Sequence, residues 1–229
     1  MKNITLTQKL KKFKKYVEEF YLNHKSGIED VHKLRVSSRE LFSLMSHDEI
    51  FSKKIKKVIK LSNKVRDLDV FFEVYLQSLP KKFIDELDIQ SIVESTDKIR
   101  QKGIDKLHLY LKYLEIPQKI EFNYEDIEPD IVKIDELEFN QEELHKYRMY
   151  IKKRLFKEKN SYPLNKKKIQ VLTKIKDLLG DINDYSNGLK RLETYDIEPT
   201  FFKKIEEFTQ EQNDILFKEF KTINRKGTL

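Results

Sequence analysis

Two short stretches carry the residue types that could do chemistry. Val31-His32-Lys33-Leu34-Arg35-Val36 returns as Leu144-His145-Lys146-Tyr147-Arg148-Met149, and each copy has a further cation four residues on, Arg39 in the first and Lys152 in the second. Steps of three and four residues return to one face of an α-helix. His32, Arg35 and Arg39 therefore form one stripe, and His145, Arg148 and Lys152 form another. Arginine can grip two oxygens of an oxyanion at once, and lysine acts as a point charge. Two such stripes suggest anion capture, by a two-fold-like body that aims matched cations at one shared anion.

The repeat extends further. Val65-Arg66-Asp67-Leu68-Asp69-Val70 follows the first stripe, and Leu179-Gly180-Asp181-Ile182-Asn183-Asp184 follows the second. Setting Asp67 against Asp184 also aligns Lys57 with Lys174 and Leu61 with Leu178. Two ordered motifs recurring at similar separation mark an internal duplication. Facing stripes of this kind are costly when empty, since two unit charges ~8 Å apart at an effective dielectric of about 20 repel by about 2 kcal/mol. Asp67 and Asp184 neutralise part of that charge, but not six cations together with Lys57, Lys64 and Lys174.

The elements that must position these stripes read as helices. Residues 4–23 form a first one with Leu10, Phe13, Val17, Phe20 and Tyr21 inward, broken by Lys25-Ser26-Gly27. The first stripe rides on a helix from about Ile28 to Met45, with Val31, Leu34, Leu41 and Leu44 toward the core. Ser46 and Glu49 stand at capping-box distance ahead of a long helix from about His47 to Leu79, ended by Pro80. Its core positions are Ile55, Val58, Val65, Leu68, Phe72 and Leu76. A fourth helix, carried by Ile92, Ile99, Ile104, Leu107, Leu111 and Leu114, follows to about Leu114. Residues 115–139 read as an acidic connector in which Ile120, Phe122 and Tyr124 alternate at the strand period. Helices resume over about 140–159, 164–194 and 199–225.

Composition agrees with an all-α fold and narrows the functions. With 229 residues, 5 glycines and 5 prolines, the chain favours a few long helices over many short strands. The absence of cysteine excludes disulfides and thiolate metal sites. No stretch approaches the ~20 apolar residues of a membrane span, and the start is lysine-rich and amphipathic, so a soluble cytoplasmic protein is expected. A net charge of +7 leans toward polyanions, but 46 basic against 39 acidic residues means that placement, not total charge, must decide.

At these residues the chain resembles a known family. His32-x-x-Arg35-x-x-x-Arg39 followed by Arg66-Asp67-x-Asp69-Val70 is similar to the first half of a CHAD domain, the conserved histidine α-helical domain. His145-x-x-Arg148-x-x-x-Lys152 followed by Leu179-Gly180-x-x-Asn183-Asp184 resembles its second half, so the likeness covers essentially the whole chain. The resemblance implies one domain over 1–229, with halves at about 1–114 and 140–229 related by pseudo-two-fold symmetry. It also implies a basic central channel or groove that binds inorganic polyphosphate, without catalysis and without a cofactor or metal. On matching positions His32, Arg35, Arg39, Lys57, Lys64, His145, Arg148, Lys152 and Lys174 would meet phosphate oxygens. Arg66 would do so too, or brace a neighbour, and Asp67 and Asp184 would orient arginine or histidine side chains. Glu40, Phe42 and Leu155 stand where the family commonly has more arginines, and Asn63 where a glycine matching Gly180 is usual, which implies a less cationic channel. Location at polyphosphate granules would follow, with other polyanions as further partners.

Other readings compete. Lys11-Lys12-x-Lys14-Lys15 and Lys218-x-x-Lys221…Arg225-Lys226 could lie along a nucleic-acid backbone, although the aromatics fall at core spacing and not as a stacking platform. His47-Asp48 resembles the metal pair of HD phosphohydrolases but lacks further ligands at compatible positions, and no Gly-rich phosphate loop exists. An adaptor bundle is the third possibility.

Overall fold

The computed structural model of the chain describes residues 2–23, 27–43, 45, 50–120, 140–160 and 163–226. Among the described residues the protein is all-helical, with no strand. The elements are α1 (Lys2–Leu22), α2 (Ile28–Phe42), α3 (Ile50–Val70), a π-helical segment (Phe71–Leu76), α4 (Lys81–Glu86), α5 (Ile89–Lys112), α6 (Gln141–Asn160), α7 (Lys166–Leu192) and α8 (Pro199–Lys226). No helix is long and apolar enough to cross a membrane.

Two expected helices are subdivided. The helix expected to run to Leu79 passes at Phe71 into the π-helical segment, and Pro80 ends it. The helix expected from there to Leu114 begins only at Ile89, because the Asp88 carboxylate accepts from the Ser91 backbone N–H at 3.1 Å and starts a new helix. Leu44, the Ser46–Glu49 capping box, the His47-Asp48 pair, Lys25-Ser26 and the Phe122–Tyr124 alternation lie outside the described residues. Ile120 is described and is not in a strand.

The chain divides into two compact units, residues Met1–Phe72 with Asp88–Ile127, and Glu73–Leu87 with Glu128–Leu229. In the first, α1 packs on α2 and α5, α2 on α3, and α3 on α5, which closes a four-helix arrangement. Phe13, Phe20, Val31, Leu34, Leu41, Ile55, Val58, Val65, Ile104 and Leu107 fill its interior. Ser37 and Ser38 are buried in α2 because both hydroxyls donate back to the Leu34 carbonyl, at 2.9 and 2.6 Å. Two expected core residues are instead 42% exposed, Tyr21 and Ile99. Thr96 takes the inward place on α5 between Ile92 and Ile104, leaving Ile99 at the edge of the buried stripe, and Tyr21 lies against the His108 ring.

In the second unit α7 packs on both α6 and α8 around Leu144, Tyr147, Ile151, Leu155, Leu172, Ile175, Leu179, Ile182, Phe217 and Phe220. The segment Glu73–Leu87 belongs to this unit although it follows α3 in the chain. Tyr75 sits over Gly188 so closely that a Cβ there would come within 2.1 Å of the ring, which only glycine allows. The Tyr75 and Thr209 hydroxyls share a hydrogen bond of 3.0 Å, and burial pushes the phenol up to about 12, with Thr209 opposing and Tyr185 adding to the rise. Phe83 meets Phe201 and Phe208 edge-on, each at 5.9 Å.

Candidate functional site

The first cation stripe is set by the start and the inner face of α2. Asp30 accepts from the Gly27 backbone N–H at 2.9 Å and fixes the first turn. Val31, Leu34, Ser38 and Leu41 bury one face, so the flank keeps His32 exposed and Arg35 and Arg39 half-buried. Arg35 Nε donates to Asn63 Oδ1 on α3 at 2.6 Å. One turn beyond, the Glu40 carboxylate accepts from Lys9 Nζ at 2.8 Å and Lys12 Nζ at 3.4 Å on α1. Burial alone would raise the Glu40 pKa, but the two ammonium groups outweigh it and hold the carboxyl below its ordinary value. Glu40 thus draws in two lysines from α1.

Beside this stripe, α3 turns a lysine face to solvent. Lys53, Lys57, Lys60 and Lys64 are all exposed and recur at steps of three and four. Lys57 Nζ stands over the Tyr110 ring at 4.6 Å, a cation–π contact with α5. Arg66 is half-buried and Asp67 is exposed. A second carboxylate of α3, Asp69, is 0% exposed and accepts from Arg100 Nε at 2.6 Å, with its Oδ2 unpartnered.

The second stripe is placed by α6, whose N-terminus is capped by Asn140: its Oδ1 accepts from Glu142 N at 2.9 Å and Glu143 N at 3.4 Å. Leu144, Tyr147, Ile151 and Leu155 face the core; His145 is exposed, and Arg148 and Lys152 are half-buried. Leu155 is part of the core of this unit. Arg148 lies against Gly180 on α7, where a Cβ would come within 2.9 Å of Nη2, and its Nε is buried without a hydrogen-bond partner. Asn63 and Gly180 align when Asp67 is set against Asp184, so Arg35 and Arg148 each meet the aligned position of the next helix.

The surroundings of Arg148 include a run of aspartates on α7. Asp177, Asp181 and Asp184 follow one another along α7. The Asp181 carboxyl is held above its ordinary value, first by burial and then by Asp184 and Asp177, with Arg148 and Lys176 pulling the other way. Lys176 Nζ pairs with Asp177 at 2.6 Å, and Lys174 Nζ pairs with Glu219 on α8 at 2.9 Å. Asp184 Oδ1 accepts from Asn183 Nδ2 at 3.2 Å. Two shallow grooves run over α7. One, of about 430 Å³, is lined by Thr173, Lys174, Asp177 and Asp181 among others. The other, of about 330 Å³, holds His145 with Asn183, Ser186, Asn187 and Lys190.

Two residues that position or neutralise the stripes, Asn63 and Asp181, escaped the sequence reading as site residues, as did Asp69, which pairs with Arg100 and not with a stripe residue. Asn63 carried the signal of its alignment with Gly180, Asp69 that of sharing a face with Ile55, Val58 and Val65, and Asp181 that of its place in the second motif. Among the described residues no group of three or more histidine, aspartate or glutamate side chains could hold a metal ion. No protein-family model, curated protein or solved structure matches the chain.

Proposed function

We propose that this chain binds inorganic polyphosphate, without catalysing a reaction, through the stripes His32–Arg35–Arg39 and His145–Arg148–Lys152. The observation that supports it is the matched placing of Arg35 and Arg148. Both are half-buried guanidinium groups, each laid against the aligned position of the following helix. Guanidinium groups held in this way lose little freedom when they grip phosphate oxygens in pairs. Residues four apart on a helix stand ~6 Å from each other, a spacing comparable with the charge repeat of a phosphate chain. The reading includes the finer parts of the CHAD pattern, namely pseudo-two-fold related halves and a basic channel, and a cytoplasmic role at polyphosphate granules.

Titration of the chain with long-chain inorganic polyphosphate, wild type against Arg35→Glu/Arg148→Glu, tests it. Loss of binding in the folded double variant is expected, and unchanged affinity would sink the reading.

A second reading, nucleic-acid binding, is favoured by one observation, the exposed lysine face of α3. Competition between polyphosphate and duplex DNA at ~150 mM salt separates the two, because diffuse electrostatic binding fades there.

A further inference from the structure

The duplicated helices α3 and α7 carry opposite charge on corresponding faces. With Asp67 set against Asp184, the lysines Lys53, Lys57, Lys60 and Lys64 correspond to Gln170, Lys174, Asp177 and Asp181. The contacts of Arg35 with Asn63 and of Arg148 with Gly180 occur at aligned positions, so the alignment holds in the packing of each helix pair. Lys60 and Lys64 are exposed and have no carboxylate partner among the described residues. On α7 the one matching lysine, Lys174, is already paired with Glu219, and Asp181 lies close enough to Arg148 to feel its charge.

We propose that the two halves have diverged into a strong and a weak polyanion site: Lys60 and Lys64 extend the grip around Arg35, while Asp181 screens Arg148 and Asp177 holds Lys176, so that α7 offers the same ligand few free cations. This rests on the polyphosphate reading and deepens it by naming the residues that set how much each half contributes. A polyanion gains affinity mainly from the counterions it releases on contact with lysine and arginine. A half whose cations are already neutralised in place has fewer to release, and its aspartates add repulsion at short range. Four lysines on one outer face against a single paired lysine on the other is therefore a difference in binding, not only in composition.

The test uses the full chain and long-chain inorganic polyphosphate, with affinity followed over a range of salt. Lys60→Glu/Lys64→Glu should weaken binding by about tenfold or more at low salt and flatten the salt dependence. Asp177→Lys/Asp181→Lys should tighten binding by about tenfold and steepen it. Arg35→Glu should cost more than Arg148→Glu. Glu206→Lys/Glu207→Lys, an equal change of net charge at exposed positions on α8, serves as the control and should have a much smaller effect. The proposal is overturned if the α8 control tightens binding as much as the α7 variant does. It is also overturned if Arg35→Glu and Arg148→Glu cost the same while their combination still abolishes binding, an outcome that leaves the polyphosphate reading standing. Full binding by the arginine double variant would end both. All substituted lysines, aspartates and glutamates are exposed, so the variants should fold, and circular dichroism checks that they do.

Discussion

Arg35 Nε donates to Asn63 Oδ1 at 2.6 Å, whereas its counterpart Arg148 lies over Gly180 with Nε unpartnered. Two positions aligned in sequence thus seat one guanidinium on an amide and the other on bare backbone.

Asn63→Ala removes the acceptor of a charged donor and should cost about 1 kcal/mol of stability, with a weaker grip on polyphosphate. Gly180→Ala places a methyl against the far end of the flexible Arg148 side chain. Arg148 can swing away, and alanine is the better helix former, so thermal stability should change by less than about 1 kcal/mol while polyphosphate affinity falls. Thermal melts and titrations of the two variants, side by side, check the contrast.

Gly188→Ala should be far more damaging than Gly180→Ala. The added carbon meets the body of the Tyr75 ring, which Thr209 and the helix backbone hold in place. A loss of about 1–3 kcal/mol is expected from overpacking. By the same contacts, residues 128–229 expressed alone should fail to show a cooperative melt, and adding residues 73–87 should restore one. A cooperative melt of the shorter fragment would contradict the role given to Tyr75 and Phe83.

Glu40 and Asp181 should make stability depend on pH in opposite senses. For Glu40 the two lysines outweigh burial and lower the folded pKa, so its contribution is full above the unfolded value and is lost as pH falls through the lowered one. For Asp181 burial and the neighbouring aspartates raise the folded pKa, so a penalty is present at neutral pH and disappears as pH falls through that raised value toward the unfolded one. Glu40→Gln should therefore destabilise at about pH 7, by about 0.2–1 kcal/mol for a partly exposed pair. Asp181→Asn should stabilise at the same pH. Both differences should shrink as pH falls, that of Asp181 before that of Glu40, measured by denaturant unfolding of each variant across the range.

Asp69 and Arg100 form a buried pair between α3 and α5. Arg100→Ala leaves a carboxylate without its counter-charge in the core and should cost about 3–5 kcal/mol. Asp69→Leu/Arg100→Met should recover most of that loss, since an apolar replacement of both partners leaves no buried charge. Equal destabilisation in the single and double variants would show that the pair acts through packing instead.

The spacing of His32, Arg35 and Arg39 along α2, and of their counterparts along α6, was legible because a helical flank needs only steps of three and four. The core followed for the same reason at Val31, Leu34, Ile55, Val58, Ile104 and Leu107. The break at Asp88 was hidden because Ile84, Leu87 and Ile92 continue an apolar rhythm across it, although the aspartate three residues before Ser91 N was a capping signal. Asp67 drew attention by its match to Asp184, yet Asp69 is the one that points inward. That distinction needs the phase of α3, which the buried residues Ile55, Val58, Ser62 and Val65 supply. The attachment of Glu73–Leu87 to the second unit was not legible, since it depends on a contact between Tyr75 and Gly188 that are far apart in the chain.

The π-helical segment Phe71–Leu76 has a consequence for how this sequence can change. Phe71 is buried in the first unit and Tyr75 in the second, along one uninterrupted run of helix. A π turn holds one more residue than an α turn. Deleting one residue between Phe71 and Tyr75 would remove the extra residue and restore regular α winding with the helix beyond it in the same phase, whereas the same deletion within α3 would rotate the rest of the helix by about 100°. This stretch should therefore tolerate the loss of one residue better than α3 does. The extra residue of the π turn is slack in chain length, a point where the helix can lose a residue without changing which side chains it presents.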